Sequence, residues 1–248
     1  LSLHYYTIRD WNNKGSATEF SAGDYYQTLA KCMDIENIIV KHIGIMDKYD
    51  PENKIGLMVD EWGTWFDVEP GTNPGFLFQQ NTMRDAFVAA LTLNIFNKYS
   101  GRIQMANIAQ VVNVLQSMIL TKDDKMVLTP TYHVFEMYKV HQDAVLLPLE
   151  IQSDVKNVNE KDMPLVTASA SQKDGLIHIS LTNADLGAER LVNIDASNLK
   201  VTRITGRILT SKSIQDHNTF EKPNVVSPVA FTDFKLKDGK LAVKLPAK

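Results

Sequence analysis

Two adjacent carboxylates stand beside two tryptophans near residue 60: Asp60-Glu61 is followed at once by Trp62 and then by Trp65. Indole rings pack against the apolar face of a sugar ring, while a carboxylate can attack or stabilise an anomeric carbon that acquires oxocarbenium character. The combination of Glu61 with Trp62 and Trp65 therefore predicts a sugar-processing site. An alternative of equal weight is that Asp60-Glu61 caps the next element or pairs with a lysine.

Other candidate side chains lie at the ends of two further predicted strands. The first strand, Leu1–Thr7, carries His4, Tyr5 and Tyr6, and the third strand leads to Gln110. Because side chains alternate between the two faces of a strand, His4 and Tyr6 share one face and Tyr5 takes the other. Reactive groups gather at the carboxyl ends of strands in parallel α/β folds, so these residues are candidates for a binding site.

A metal site built from His4 and Glu61 is a poorer interpretation of the same residues. No second histidine stands at ligand spacing, and the sequence contains neither HExxH nor CxxC. The single cysteine, Cys32, cannot form an internal disulfide and is expected to be a buried, inert thiol. No glycine-rich phosphate-binding motif is present. The sequence therefore predicts neither a metal nor another cofactor.

The elements that must position these residues alternate between strand and helix up to about residue 142. Apolar runs predict the strands, and spacing near 3.6 residues predicts the helices. The predicted strands are Leu1–Thr7, Lys54–Asp60 and Arg102–Ala109, and the predicted helices are a segment from Asp24 that closes before Pro51, then Thr82–Lys98 and Tyr132–His141. Successive βα units of this kind lay down a parallel sheet.

From about residue 143 the pattern changes to short alternating runs separated by turn signals. Examples are Leu176–Leu181, Leu199–Ile204 and Lys240–Leu245, with Asp-Gly turns at residues 174–175 and 238–239. Such runs are typical of antiparallel β structure. The sequence therefore predicts two domains, an α/β domain over residues 1–142 and an all-β domain over residues 143–248.

Composition excludes several classes of partner. The 248 residues are 44% hydrophobic and carry 26 basic and 29 acidic side chains, for a formal charge of −3. That balance gives no electrostatic reason to bind nucleic acid or an anionic membrane, and a neutral small molecule fits better. The longest uncharged stretch, Ile103–Thr121, contains five amide side chains that a bilayer interior would penalise, so we predict no membrane span.

The chain is expected to be a piece of a longer protein. Residue 1 is leucine, and the predicted strand begins there with no charged leader before it. This predicts a fragment or a cleaved chain, and it leaves the cellular location open between cytoplasm, periplasm and secretion.

The motifs and their order resemble the α-L-arabinofuranosidases of glycoside hydrolase family 51. Three segments look like the later barrel strands of that family, and two look like its C-terminal β domain. These segments are Leu3–Tyr6, Val59–Gly63 and Met105–Val114, and then Gly206–Leu209 and His217–Asn224. Asp-Glu-Trp alone is common, whereas the order and spacing of all five segments are specific.

The resemblance implies a fold and an activity. The fold would be the C-terminal part of a (β/α)8 TIM barrel followed by an antiparallel, jelly-roll-like β-sandwich. The activity would be that of a retaining hydrolase, which removes terminal α-L-arabinofuranosyl groups from arabinan- or arabinoxylan-type polysaccharides and oligosaccharides. Multimers are usual in the family, so the intact protein is expected to form a homo-oligomer.

The resemblance also assigns roles to residues of this sequence. Glu61 falls at the nucleophile, Tyr6 at the aromatic residue near it, and Gln110 at an amide that contacts substrate. His4 and Trp65 are the further substrate-binding residues that the resemblance suggests.

One departure from the family is large. The family's acid/base glutamate lies on a barrel strand earlier than the one that corresponds to the first strand here. A retaining glycosidase needs two carboxyl groups about 5 to 5.5 Å apart. The chain is therefore expected to hold half of an active site and to depend on the missing N-terminal half of the barrel for activity.

The sequence leaves two other functions open. A different barrel glycosidase, acting on xylosides or glucosides, would share a glutamate at the end of a strand. A non-catalytic carbohydrate-binding module would need exposed aromatic rings on its β domain, but Trp11, Trp62 and Trp65 all lie in the first half of the chain.

Overall fold

A computed structural model describes residues 1–248, and its first half contains a three-stranded parallel sheet. Strands β1 (Ser2–Thr7), β2 (Leu57–Thr64) and β3 (Ile103–Ile108) lie side by side in the order β1-β2-β3. Helix α1 (Ala22–Tyr49) connects the first two strands, and α2 (Met83–Lys98) connects the second pair. This succession of strands and helices agrees with the sequence prediction.

Side-chain caps fix where the helices begin. The Ser21 hydroxyl accepts a hydrogen bond from the backbone N–H of Asp24, and the Asp24 carboxylate accepts one from the N–H of Ser21. Thr82 and Asp85 form the same reciprocal pair at the start of α2. Each pair satisfies N–H groups that have no partner within the helix. Helix α3 (Pro130–Tyr138) starts with a proline, which has no N–H to satisfy.

The core of the first half lies between the sheet and the helices. Apolar side chains of α1, α2 and the helix-facing side of the strands form one continuous buried cluster. Removing such side chains from water is worth about 1.5–3 kcal/mol each, which holds the helices on the sheet. Its fully buried members include Leu29, Ile35 and Ile39 of α1, Leu57 and Val59 of β2, and Val88 and Ala89 of α2.

The strands after β3 pair in the antiparallel sense; the first two of them precede α3, and the others make up the second half. The strands that follow β3 in the chain are β4 (Ile119–Lys122), β5 (Lys125–Leu128), β6 (Val145–Leu146), β7 (Val155–Val158), β8 (Lys161–Pro164), β9 (Val166–Lys173), β10 (Leu176–Asn183), β11 (Arg190–Asp195), β12 (Gly206–Ile208), β13 (Val229–Phe231), β14 (Phe234–Lys237) and β15 (Lys240–Leu245). Two three-stranded sheets have the orders β10-β9-β6 and β11-β15-β14, and β4-β5, β7-β8 and β12-β13 are two-stranded.

One predicted strand of this half is absent from the structure. Leu199–Ile204 has the alternation of a strand but pairs with no neighbour, and the nearest strand, β12, begins at Gly206. Alternation requires only that one face be covered, whereas a strand also needs a partner for its backbone hydrogen bonds. The predictions at residues 176–181 and 240–245 agree with β10 and β15.

The two halves are joined by polar contacts across a shared boundary. The side-chain amide of Asn94 on α2 donates to the Thr167 hydroxyl of β9 at 2.8 Å, and Ser169 donates back to Asn94 at 2.9 Å. The Tyr25 hydroxyl of α1 donates to the Ala184 carbonyl at 3.2 Å. The change from helices to antiparallel strands falls between residues 141 and 145, while the division into two domains at residue 143 stays a prediction.

Among the helices, none combines the length and the apolar character that crossing a membrane requires.

Candidate active site

Glu61 lies near the carboxyl end of β2, and the backbone there contains an extra residue. Leu3 of β1 pairs with Val59, but the next residue, His4, pairs with Glu61, so Asp60 is left without a partner. A bulge of this kind shifts the alternation of side chains by one position. As a result Val59 and Trp62, three residues apart, both lie in the buried core, while Glu61 turns to the opposite face beside His4.

Two side chains of β1 reach the Glu61 carboxylate. The Tyr6 hydroxyl donates a hydrogen bond of 2.7 Å to Oε2 of Glu61, and Nδ1 of His4 lies 3.7 Å from the same oxygen. Burial, followed by this hydrogen bond, raises the pKa of Tyr6 above its usual value, so the phenol stays a donor. The side chains of His4 and Glu61 are 51% and 48% exposed, which leaves the carboxylate open to a ligand.

Aromatic rings continue the site beyond Tyr6. The Trp65 ring lies edge-on to Tyr6 with centroids 5.2 Å apart, and the Trp11 ring lies edge-on to Trp65 at 5.8 Å. Trp11 is 66% exposed. The three rings therefore form a row that leads from the carboxylate toward solvent.

Trp62, which the sequence placed in a sugar site with Glu61, belongs to the core instead. It is 1% exposed, stacks on Phe135 and meets the edge of Phe96. Neighbouring residues of a strand face opposite ways, and the bulge decides that Trp62, rather than Glu61, faces the core.

Gln110 lies in the segment after β3 and is exposed. Its backbone N–H donates to the Val114 carbonyl, and its own carbonyl accepts from Met118. Its side chain makes no hydrogen bond with Glu61, Tyr6 or His4, whereas these three residues contact one another and Trp65 joins them through the Tyr6 ring.

A buried polar network that sequence reasoning missed supports the end of β2. Gln116 accepts a hydrogen bond from the Thr64 N–H at 2.8 Å and donates to the Asp85 carbonyl at 2.8 Å. The Thr64 hydroxyl donates to the Asp85 carboxylate at 2.6 Å, and Gln79 accepts from the Phe66 N–H at 2.8 Å. The amides of residues 104–116 recur every third position, a spacing that marks no single face, so the pattern does not single out Gln116, which is 0% exposed.

The arrangement provides a half-exposed carboxylate, one oxygen of which accepts a hydrogen bond from Tyr6. Such a group can act as a nucleophile or as a base. The only metal-ligating side chain in contact with Glu61 is His4, and no group of three such side chains occurs in the structure. Cys32 is buried in the core, and burial raises the pKa of its thiol to about 12, which makes it a poor nucleophile.

Comparison with protein families gives a match over most of the chain. The α-L-arabinofuranosidase C-terminal domain family matches residues 60–248. The chain belongs to this family. An intracellular exo-α-L-arabinofuranosidase of Bacteroides ovatus is 55% identical over 251 residues, a region that covers 100% of this chain and 49% of that protein.

Solved arabinofuranosidases share the fold. The GH51 arabinofuranosidase of Xanthomonas axonopodis pv. citri superposes with a TM-score of 0.96 and 48% identity, covering 99% of this chain and 50% of that one. The family 51 enzyme AbfB of Bifidobacterium longum gives a TM-score of 0.81 at 22% identity, which shows the fold alone. The predicted fold, the later part of a barrel followed by a β-sandwich, is confirmed. The chain spans about half the length of these arabinofuranosidases.

Proposed function

We propose that this chain is the C-terminal part of a retaining α-L-arabinofuranosidase and supplies its nucleophile, Glu61. The substrates would be terminal α-L-arabinofuranosyl residues of arabinan- or arabinoxylan-type polysaccharides and oligosaccharides. The observation that carries the proposal is the Glu61 carboxylate at the end of a parallel strand, held by the Tyr6 hydroxyl and open to solvent. Membership of the arabinofuranosidase family narrows the substrate from sugars in general to arabinofuranosides.

Glu61 would act through the oxygen that has no hydrogen bond. Tyr6 and His4 both approach Oε2, so Oε1 is free to attack the anomeric carbon and form a glycosyl ester with the enzyme. A second carboxyl group protonates the leaving oxygen in that step and later activates the water that cleaves the ester. We assign the second group to the remaining half of the protein, where the resemblance to the family places the acid/base glutamate.

The other predicted residues would bind the sugar. Trp65 presents an aromatic ring next to Tyr6, and His4 places a ring nitrogen beside the carboxylate. Gln110 would contact the substrate from the segment that follows β3.

The proposal also covers the organisation of the protein. Residues 1–142 would form the barrel part and residues 143–248 the β-sandwich. The intact protein would assemble into homo-oligomers and would have the intracellular location named for the Bacteroides ovatus relative.

Covalent labelling of Glu61 tests the proposal directly. The full-length protein is mixed with an arabinofuranoside that carries a good aryl leaving group, the reaction is quenched in acid within the first turnover so that the glycosyl ester is not hydrolysed, and the peptides are mapped by mass spectrometry. We expect a pentosyl adduct on the peptide that contains Glu61 and none in Glu61→Gln. Aryl glucosides and xylosides are the matched controls. An adduct on another carboxylate, or equal labelling by the control sugars, would contradict the assignment.

A further inference from the structure

Arg84 is a charged residue with no exposed surface, in the first turn of α2. Its guanidinium carbon lies 3.7 Å from the centroid of the Phe20 ring and 3.7 Å from that of Phe66. The planar group is therefore stacked between two aromatic rings, an arrangement that arginine favours and lysine cannot reproduce.

The hydrogen bonds of Arg84 go to the backbone of one loop. Its Nη2 donates to the Ser16 carbonyl at 3.1 Å and to the Ala17 carbonyl at 3.2 Å. Nε and Nη1 have no partner. Burial lowers the pKa of Arg84 to about 10, so it stays charged at neutral pH. A buried cation with unsatisfied donors costs stability, and an apolar side chain of similar volume would avoid that cost.

The contacts of Arg84 join the two loops that carry the aromatic row. Phe20, Ser16 and Ala17 belong to the β1–α1 loop, residues 8–21, and Phe66 belongs to the β2–α2 loop, residues 65–82. The first loop presents Trp11 and the second presents Trp65, and these two rings are in contact. A second joint connects the same loops: the Asp67 N–H donates to the Gly15 carbonyl at 3.0 Å, and the Gly15 N–H donates to the Asp67 carboxylate at 3.1 Å.

We propose that Arg84 is a positioning residue, which clamps the β1–α1 and β2–α2 loops together and so fixes Trp11 and Trp65 beside Tyr6 and Glu61. It touches neither the carboxylate nor a substrate, and it acts only through the loops. The inference deepens the proposed function, because it names what holds the aromatic side of the proposed sugar site in place.

The test uses the full-length protein with 5-fluorotryptophan in place of tryptophan. Fluorine NMR resonances of Trp11 and Trp65 are assigned from Trp11→Phe and Trp65→Phe. The variants are Arg84→Met, which keeps an apolar stem, and Arg84→Lys, which keeps the charge without the planar fork. The control is Arg102→Met, since Arg102 is also a buried arginine (5% exposed), but it binds Asp47 and Asp50 at the opposite end of the sheet.

We expect both Arg84 variants to shift and broaden the Trp11 and Trp65 resonances while leaving that of buried Trp62 in place. We also expect kcat/KM for an arabinofuranoside to fall about 10- to 100-fold in Arg84→Met, because small misplacements of positioning groups have effects of this size. In Arg84→Lys we expect a smaller fall in kcat/KM. Arg102→Met should lower the melting temperature without moving the Trp11 and Trp65 resonances.

Unchanged Trp11 and Trp65 resonances together with kcat/KM within twofold of the wild type would overturn the proposal. Loss of folding in both Arg84 variants would also overturn it, because Arg84 would then serve the fold as a whole. If the wild-type protein has no arabinofuranosidase activity, the proposed function fails, and the fluorine resonances still decide whether Arg84 clamps the loops.

Discussion

At the scale of single residues, the contact that matters most to the proposed chemistry is the hydrogen bond from Tyr6 to Glu61. At 2.7 Å it is within hydrogen-bond distance, whereas His4 lies 3.7 Å away. Hydrogen bonds to charged groups contribute about 1.5–3 kcal/mol, and they orient the acceptor as well. In the proposed mechanism, Tyr6 therefore determines which oxygen of Glu61 attacks the sugar.

We expect Tyr6→Phe to lower kcat/KM of the full-length protein about 10- to 100-fold, because it removes a hydrogen bond to a charged group and keeps the ring. Tyr5→Phe is the matched control: the Tyr5 hydroxyl points to the other face of β1 and donates to the Lys31 carbonyl of α1. Steady-state kinetics on an aryl arabinofuranoside measures kcat/KM of the two variants. Equal losses in the two variants would show that the effect comes from the strand rather than from the carboxylate.

At the scale of secondary-structure elements, the segment after α3 is attached to the β-sandwich through His141. Its ring lies between two hydroxyls, 2.7 Å from Ser171 on β9 and 2.8 Å from Ser180 on β10. Burial, with a smaller contribution from His178, lowers the pKa of His141 to about 4. The neutral ring is therefore the form that fits this joint.

This joint predicts a pH dependence of stability. Because the pKa of His141 is about 4 in the folded chain and 6.5 in its reference state, the unfolded chain binds the proton more readily. The contribution of His141 to stability is complete above pH 6.5 and is lost as pH falls toward 4. The free energy of unfolding, measured with urea, should decline as the pH falls across this range. The decline should be smaller in His141→Gln.

The order of elements could be predicted from sequence because it depends on local patterns. Apolar runs predicted the three parallel strands, and helical spacing predicted the starts of the helices, to within a few residues. The strand predicted at Leu199–Ile204 is absent because strand pairing depends on the neighbouring strand as well as on the segment itself. The β4-β5 hairpin was missed because residues 119–128 are charged at their turn and short in their apolar runs.

Within the candidate site, alternation correctly placed His4 and Tyr6 on one face of β1. It could not place Glu61 and Trp62, because the bulge at Asp60 changes the alternation without any glycine or proline to signal it. The buried roles of Gln116 and Arg84 were also out of reach, since each depends on partners more than 30 residues away in the chain.

At the scale of the whole molecule, the parallel sheet has two free edges. Strands β1 and β3 each pair with β2 alone, so each leaves a row of backbone groups available to another strand. Barrels remove such edges by closing the sheet on itself. The half-length coverage of the related arabinofuranosidases and the two free edges are both consistent with a barrel that needs its other half.

We expect the 248-residue chain on its own to give no turnover of an aryl arabinofuranoside, and we expect co-production with the N-terminal half to restore it. The reason is that the second carboxyl group and the closing strands both come from that half. Turnover is measured with Glu61→Gln in the co-produced pair as the control. Full turnover by the isolated chain would contradict the proposed division of the active site.

Asp60, which pairs with no residue of β1, matters for grafting this site onto another protein scaffold. A design that matched β1 and β2 residue for residue would set Asp60, one methylene shorter than glutamate, beside His4 and send Glu61 toward the helices. The unit to graft into a new scaffold is therefore the five-residue segment Val59–Gly63 with its irregular backbone, and a single glutamate installed on a regular strand would face the wrong way.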